Sequence, residues 1–162
     1  MNDSWHTTEL IKWDKRFFSL AKFYSVWGKD VSTKCGAVIT RGKDQVSEGY
    51  NGFPKGTLDS AEYLENRDIK LLRILHAEMN AILKAGKKGA ALEGCTIYVY
   101  PFTPCSNCMA AIIQSGIVRV VTKRPTGTLL IRWKDTNEEA IKMANEAGIT
   151  VDYFEENSCG EV

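Results

Sequence analysis

Four stretches of helical periodicity each end on a glycine, with short β-branched runs between them, and this alternation is what most constrains the fold. In residues 8–27, Leu10, Trp13, Phe17, Leu20, Tyr24 and Trp27 recur at steps of three and four, and Gly28 is the stop. Residues 76–85 and 105–115 read as helices closed by Gly86 and Gly116. A fourth helix carries Ala140, Ile141, Met143, Ala144 and Ala147, starts at the capping box Thr136-x-x-Glu139, and stops at Gly148. Strands are expected at 35–40 and 45–50, joined as a hairpin through Arg41-Gly42-Lys43-Asp44, and at 96–100, 117–122 and 149–154. Residues 29–34 and 51–56 read as loops, 123–135 as an irregular lid, and 58–70 are polar with no assigned element. The order α-β-β-α-β-α-β-α-β predicts an α/β fold whose five-stranded sheet is mixed or largely parallel, with helices on both faces. The expected form is three-layer α/β/α with a mixed sheet.

The length, 162 residues, suits one domain with a single core, with residues after about 155 expected as a tail. Twenty-one basic against twenty acidic side chains leave a formal charge of +1, without the basic excess of a nucleic-acid or membrane-surface binder. Asp3, His6 and Glu9 interrupt any apolar signal core at the start, and no apolar run is long enough to span a bilayer. The expected location is the cytoplasm, or the host cytoplasm for a virally encoded chain. Five cysteines, an odd number, argue against a disulfide framework there.

Two of them, Cys105 and Cys108, form a C-x-x-C pair behind Pro104 at the start of a helix. One turn brings both thiols to the same side, and the positive helix N-terminus favours thiolate, the form that binds metal. His76, at another loop-to-helix junction, can add an imidazole nitrogen, and this mixed donor set suits Zn²⁺. A structural zinc is normally closed by four protein ligands. No convincing fourth is present: His6 is remote, and Cys35 and Cys95 lie in apolar, strand-like surroundings. Three ligands leave one position open, as a catalytic zinc requires. Glu78, two residues past His76, is placed for proton transfer rather than ligation. Singly, a C-x-x-C pair is as often redox-active or structural, and a lone histidine is more often a core residue.

Together these groups reproduce the pattern H-x-E…P-C-x-x-C, which resembles the zinc-dependent deaminases of cytosine and adenine. Most of the chain is moreover similar to deoxycytidylate (dCMP) deaminases. The similarity runs through Trp13-Asp14-x-x-Phe17-Phe18, the stretch from Asp30 to Ile39, and Gly49-Tyr50-Asn51-Gly52-Phe53-Pro54-x-Gly56. His76-Ala77-Glu78-x-Asn80-Ala81-Ile82 and the stretch from Ile112 to Ile117 complete it. The glycine-rich loop at Asn51 is the piece that separates this family from cytidine and tRNA adenosine deaminases. The resemblance implies hydrolysis of dCMP to dUMP and ammonia, a homohexamer, activation by dCTP and inhibition by dTTP, and Mg²⁺ accompanying the triphosphate. It implies that Asn51 bonds the sugar and that the backbone near Ala77 reads the pyrimidine, with Pro104 also at the substrate. Gly49, Tyr50, Gly52 and Phe53 are further possible phosphate or effector contacts, and Lys84 and Lys87 fall where effector control is expected. The segment 58–74 departs from the family pattern. It holds no cysteine or histidine, so no second zinc is expected there.

For the substrate phosphate, the cationic candidates are Lys29, Lys34, Arg132 and Lys134, with Trp133 as a stacking or interface residue. Three other readings stay open. They are a relative acting on nucleosides or tRNA adenosine, a non-catalytic zinc module, and a thiol–disulfide oxidoreductase using Cys105 and Cys108.

Overall fold

The computed structural model describes residues 4–154, with side chains from Ile11 onward. The expected tail after about 155 and the side chains of His6 and Leu10 therefore lie outside the described residues. Helix α1 (Ser4–Ser25) leads into the hairpin β1 (Gly36–Arg41) and β2 (Asp44–Tyr50). Two short helices follow, α2 (Ala61–Glu65) and α3 (Arg67–Arg73), then α4 (Ala77–Lys87), β3 (Thr96–Tyr100) and α5 (Ser106–Gln114). The chain closes with β4 (Arg119–Thr122), α6 (Gly127–Glu146) and β5 (Thr150–Tyr153).

The five strands form one sheet in the order β2-β1-β3-β4-β5. The β1–β2 and β1–β3 pairs are antiparallel, and β3–β4 and β4–β5 parallel. Side chains alternate across the sheet. Ala37, Ile39, Ile97, Val99 and Val120 face α4, α5 and α6, which contribute Ala77, Ala81, Met109, Ile112 and Ala144. Val38, Tyr98 and Val121 face the other way, against Phe17, Phe18 and Ala21 of α1. The expected mixed sheet between two helical layers is present. No helix among the described residues is long and apolar enough to cross a membrane.

The structure corrects three details of the sequence reading. The buried stripe of α1 runs through Asp14, Phe17, Phe18, Ala21 and Ser25, so Trp27 is exposed. Asp14 goes inward because it accepts hydrogen bonds from the Tyr98 hydroxyl at 2.7 Å and the Arg119 guanidinium at 2.7 and 2.8 Å. Ala21 goes inward because Gly36, with no Cβ, lets the β1 backbone press against it. Secondly, the polar segment 58–70, which the sequence assigns to no element, is mostly helical, in α2 and the start of α3. The Ser60 hydroxyl accepts from the Tyr63 N–H and the Asn66 side chain from the Ile69 N–H, so each starts a helix as its N-cap. Thirdly, residues 127–135 are not an irregular lid but the first half of α6. Thr136 therefore sits inside α6 instead of capping it, and its hydroxyl accepts from the Ser106 N–H of α5 at 2.8 Å.

Candidate metal centre and active site

The register of the sheet brings three chain segments together at one end of its strands. Gly36 pairs with Tyr50 on one side and Tyr100 on the other, so the segment before β1 and those after β2 and β3 emerge together. An isolated antiparallel bridge between Gly52 and Leu75, with N–H···O bonds of 3.0 and 2.9 Å, ties the β2 exit to the residue preceding His76. His76 is the N-cap of α4 and Cys105 the N-cap of α5. Both have extended backbones, and neither side chain makes a capping hydrogen bond. Cys108 is the third residue of α5, the position whose side chain lies beside the N-cap.

The result is a convergence of three donors. His76 Nδ1 lies 3.4 Å from the Sγ of Cys105 and 3.4 Å from that of Cys108, and the cysteines are free thiols. Among the described residues these three ligand atoms lie within 4.8 Å of one another. Tetrahedral zinc with bonds of about 2.1 Å to nitrogen and 2.3 Å to sulfur spaces its N and S ligands about 3.6 Å apart. The observed separations therefore fit Zn²⁺ with little adjustment. The hydrogen bond from Cys108 pushes the Cys105 thiol down to about 4, aided by His76, while Cys108 itself is held up. The Cys105 contact raises His76 against the effect of burial. Two helix N-termini point their positive ends at the group and favour the second thiolate once a cation replaces the shared proton.

Glu78, in the first turn of α4, is buried and stands outside the ligand set. Burial raises its carboxyl above the ordinary carboxylate range, and the His76 charge opposes that shift. A cavity of about 180 Å³ opens over His76, Cys105 and Glu78, and Cys108 lies behind its lining. Trp133 and Phe102 wall it, with ring centroids 5.8 Å apart, and Trp133 meets the His76 ring edge-on at 6.1 Å. Cys35 also lines the cavity, where burial pushes its thiol up and keeps it a neutral lining group.

The remaining expected positions divide by place. Asn51 lines the cavity. Its Oδ1 accepts from the Cys35 N–H at 2.8 Å, and its Nδ2 donates to the Thr33 carbonyl at 2.9 Å. Ala77 and Pro104 are buried, and Asn137 of α6 donates to the Thr103 and Pro104 carbonyls at 3.0 and 3.2 Å, which fixes the segment leading into Cys105. Arg132 and Trp133 reach the cavity, whereas Lys29, Lys34 and Lys134 do not line it. Lys29 pairs with Asp59 at 2.6 Å, and Lys134 lies 4.0 Å from Glu138. Gly49 is buried against the α4 backbone, the Tyr50 carbonyl accepts from Asn80, and Phe53 is half-buried away from the cavity. Lys84 pairs with Glu48, and Lys87 is exposed on α4. Several cavity residues escaped the sequence reading, among them Phe102 and the two cations Arg67 and Lys70. Arg67 and Lys70 lie on α3, whose local signal in the sequence is the capping residue Asn66.

A His/Cys/Cys centre at two helix N-termini, at the strand ends of a mixed sheet and beside a buried carboxylate, defines the architecture of a zinc-dependent deaminase. The family model for the cytidine and deoxycytidylate deaminase zinc-binding region matches residues 11–124, and the chain belongs to that family. It is 46% identical over 143 residues to a protein of Aliivibrio fischeri named as an uncharacterized deaminase in the luxG 3' region, covering 88% of this chain and 94% of the other. It is 42% identical over 115 residues to a probable deoxycytidylate deaminase of Caenorhabditis elegans, covering 68% of this chain and 56% of that protein's length. Its fold matches the crystal structure of the dCMP deaminase of cyanophage S-TIM5 in complex with dCMP and dUMP. The TM-score is 0.70 at 22% identity, covering 86% of this chain and 95% of that one.

Proposed function

We propose that the protein hydrolyses dCMP to dUMP and ammonia, with one Zn²⁺ held by His76, Cys105 and Cys108 and Glu78 as the proton carrier. The observation that carries this reading is the convergence of the three donors, two of which, His76 and Cys105, line a cavity together with the buried Glu78. The substrate reading is supported by the names of the Caenorhabditis and cyanophage proteins and by the aromatic rings of Trp133 and Phe102 on the cavity wall, which offer stacking faces to a pyrimidine.

When bound, zinc supplies Lewis acidity that makes water a nucleophile near neutral pH. Glu78 takes the proton that water releases as its oxygen adds to C4 and passes it to ring N3. It then delivers the second proton of that water to the amino group, which leaves as ammonia. A carboxyl whose pKa burial has raised is suited to both halves of this transfer. Asn51 holds the loop that carries Cys35, and its carbonyl oxygen keeps a second lone pair for the sugar hydroxyl. The backbone at Ala77 meets the base from the α4 N-terminus, and Pro104 holds the segment against it.

Regulation by dCTP and dTTP, with Mg²⁺ on the triphosphate, and assembly into a hexamer belong to the same reading. A triphosphate drawing Lys84 away from Glu48, together with Lys87, would act on the helix that carries Glu78. The exposed Phe23, Val26 and Trp27 of the α1 end form an apolar patch suited to a subunit contact. The test is a substrate panel of dCMP, deoxycytidine and an adenosine-bearing RNA, with ammonia release measured alone and with dCTP or dTTP plus Mg²⁺. Turnover of dCMP alone among the three, raised by dCTP and lowered by dTTP, is the expected result. Turnover of deoxycytidine or RNA in its place contradicts it.

A further inference from the structure

Helix α3 turns one face to the cavity. Arg67, Lys70, Leu71 and Ile74, spaced i, i+3, i+4 and i+7, all line it. Lys70 is buried and spoken for: its ammonium donates to Asp30 Oδ1 at 3.0 Å and to the Ser32 hydroxyl at 3.1 Å. Asp30 in turn accepts the Ser32 N–H at 2.7 Å, so Lys70 locks α3 onto the loop preceding β1. Arg67 is different. It lines the cavity without a hydrogen bond or ion pair among the described residues, and so does Arg132, arriving from α6. The cavity's acidic groups are Asp30, held by Lys70; Glu78, beside the metal ligands; and Glu65 of α2. With Lys70 and Asp30 cancelling each other and Glu78 beside the metal ligands, the rest of the lining keeps two guanidinium groups against the one carboxylate of Glu65. Guanidinium groups bind phosphate in a two-pronged fashion and keep their charge at every physiological pH.

We infer that Arg67 and Arg132 form the seat of the nucleotide 5'-phosphate, and that Lys70 is a positioning residue that fixes α3 so that Arg67 faces it. This rests on the dCMP reading and names the residues by which the same cavity would prefer a nucleotide to a nucleoside. Segment 58–74, which departs from the family pattern, then carries half of the phosphate recognition.

The experiment is calorimetric titration of the zinc-loaded protein with dUMP and with deoxyuridine, for wild type, Arg67→Gln and Arg132→Gln, beside KM and kcat for dCMP. Losing a charge-assisted contact predicts a weakening of dUMP binding of about tenfold or more in each variant, with a matching rise in KM. Deoxyuridine affinity should move far less, and inorganic phosphate should compete with dUMP in wild type better than in either variant. Variants that bind dUMP as tightly as wild type, or that lose dUMP and deoxyuridine equally, overturn the seat while leaving the dCMP reading intact. A wild type that neither binds dUMP nor turns over dCMP overturns the substrate reading, and the seat with it.

Discussion

Lys70 Nζ lies 3.0 Å from Asp30 Oδ1 across forty positions of sequence, with both side chains more than nine-tenths buried. Removing one partner of such a pair strands the other charge in the interior. Lys70→Ala should therefore cost about 3 kcal/mol of unfolding free energy. Lys70→Met combined with Asp30→Asn should cost less than the sum of the two single changes. Urea unfolding of the four proteins, compared as a double-mutant cycle, checks this. Strict additivity would mean that the two residues do not cooperate.

Zinc removal should loosen the fold as well as silence it, because the three ligands join the starts of α4 and α5. With free zinc about a thousandfold above Kd, ligation adds on the order of 4 kcal/mol. For a chain of this size that corresponds to about 10 °C in Tm. Differential scanning calorimetry with and without a chelator measures the shift, and elemental analysis should find one zinc per wild-type chain. Cys105→Ser should bind less than stoichiometric zinc, with a Tm that the chelator no longer changes.

Stability below neutral pH should depend on Glu48. Partial burial raises its carboxyl, but the hydrogen bond and charge of Lys84, aided by Gln45 and Lys88, outweigh that and hold it below its ordinary value. A carboxyl lower in the folded than in the unfolded state stabilises the fold above the unfolded pKa, about 4.3. That stabilisation is lost as pH falls through the folded value. Glu48→Gln should accordingly flatten the acid limb of a Tm-versus-pH curve below about pH 4.5 and leave its slope near neutrality unchanged. An acid limb of the same slope in both proteins would remove Glu48 from the explanation.

Gly49 stands where β2 passes the first turns of α4. A Cβ there would overlap the Ala77 carbonyl oxygen and the Ala81 N–H, both backbone atoms that cannot turn aside. Gly49→Ala should cost about 3 kcal/mol or more and displace the helix that begins at His76. Gly52→Ala, where a Cβ meets nothing within 4 Å, is the matched control and should be nearly neutral. Circular dichroism melts of the pair decide it.

What could be read from the sequence follows the range of the interaction. His76, Glu78, Cys105 and Cys108 were legible because each sits within a few residues of its own helix start, where local spacing fixes the geometry. The sheet was legible because β-branched runs between glycine stops leave few alternatives. Helices α2 and α3 were not, because five- and seven-residue helices are too short to show a period, and Leu72 of α3 is exposed, which blurs any apolar face. The α6 start was missed because Thr136-x-x-Glu139 matches a capping box locally, while the Thr136 hydroxyl is taken by Ser106, thirty positions away. The cavity face of α3 depends on the Lys70 bond to Asp30, which no local pattern announces.

The most direct measurement is the loss of cytosine absorbance when zinc-replete protein, with dCTP and Mg²⁺ present, is mixed with dCMP, wild type against Glu78→Gln. The wild type should convert dCMP to dUMP. The variant, with zinc still bound, should be slower by on the order of 10²–10⁴, the usual contribution of a positioned acid–base group. Unchanged turnover in Glu78→Gln, or no turnover of dCMP by a fully zinc-loaded wild type, would contradict the assignment of this site to dCMP hydrolysis through Glu78.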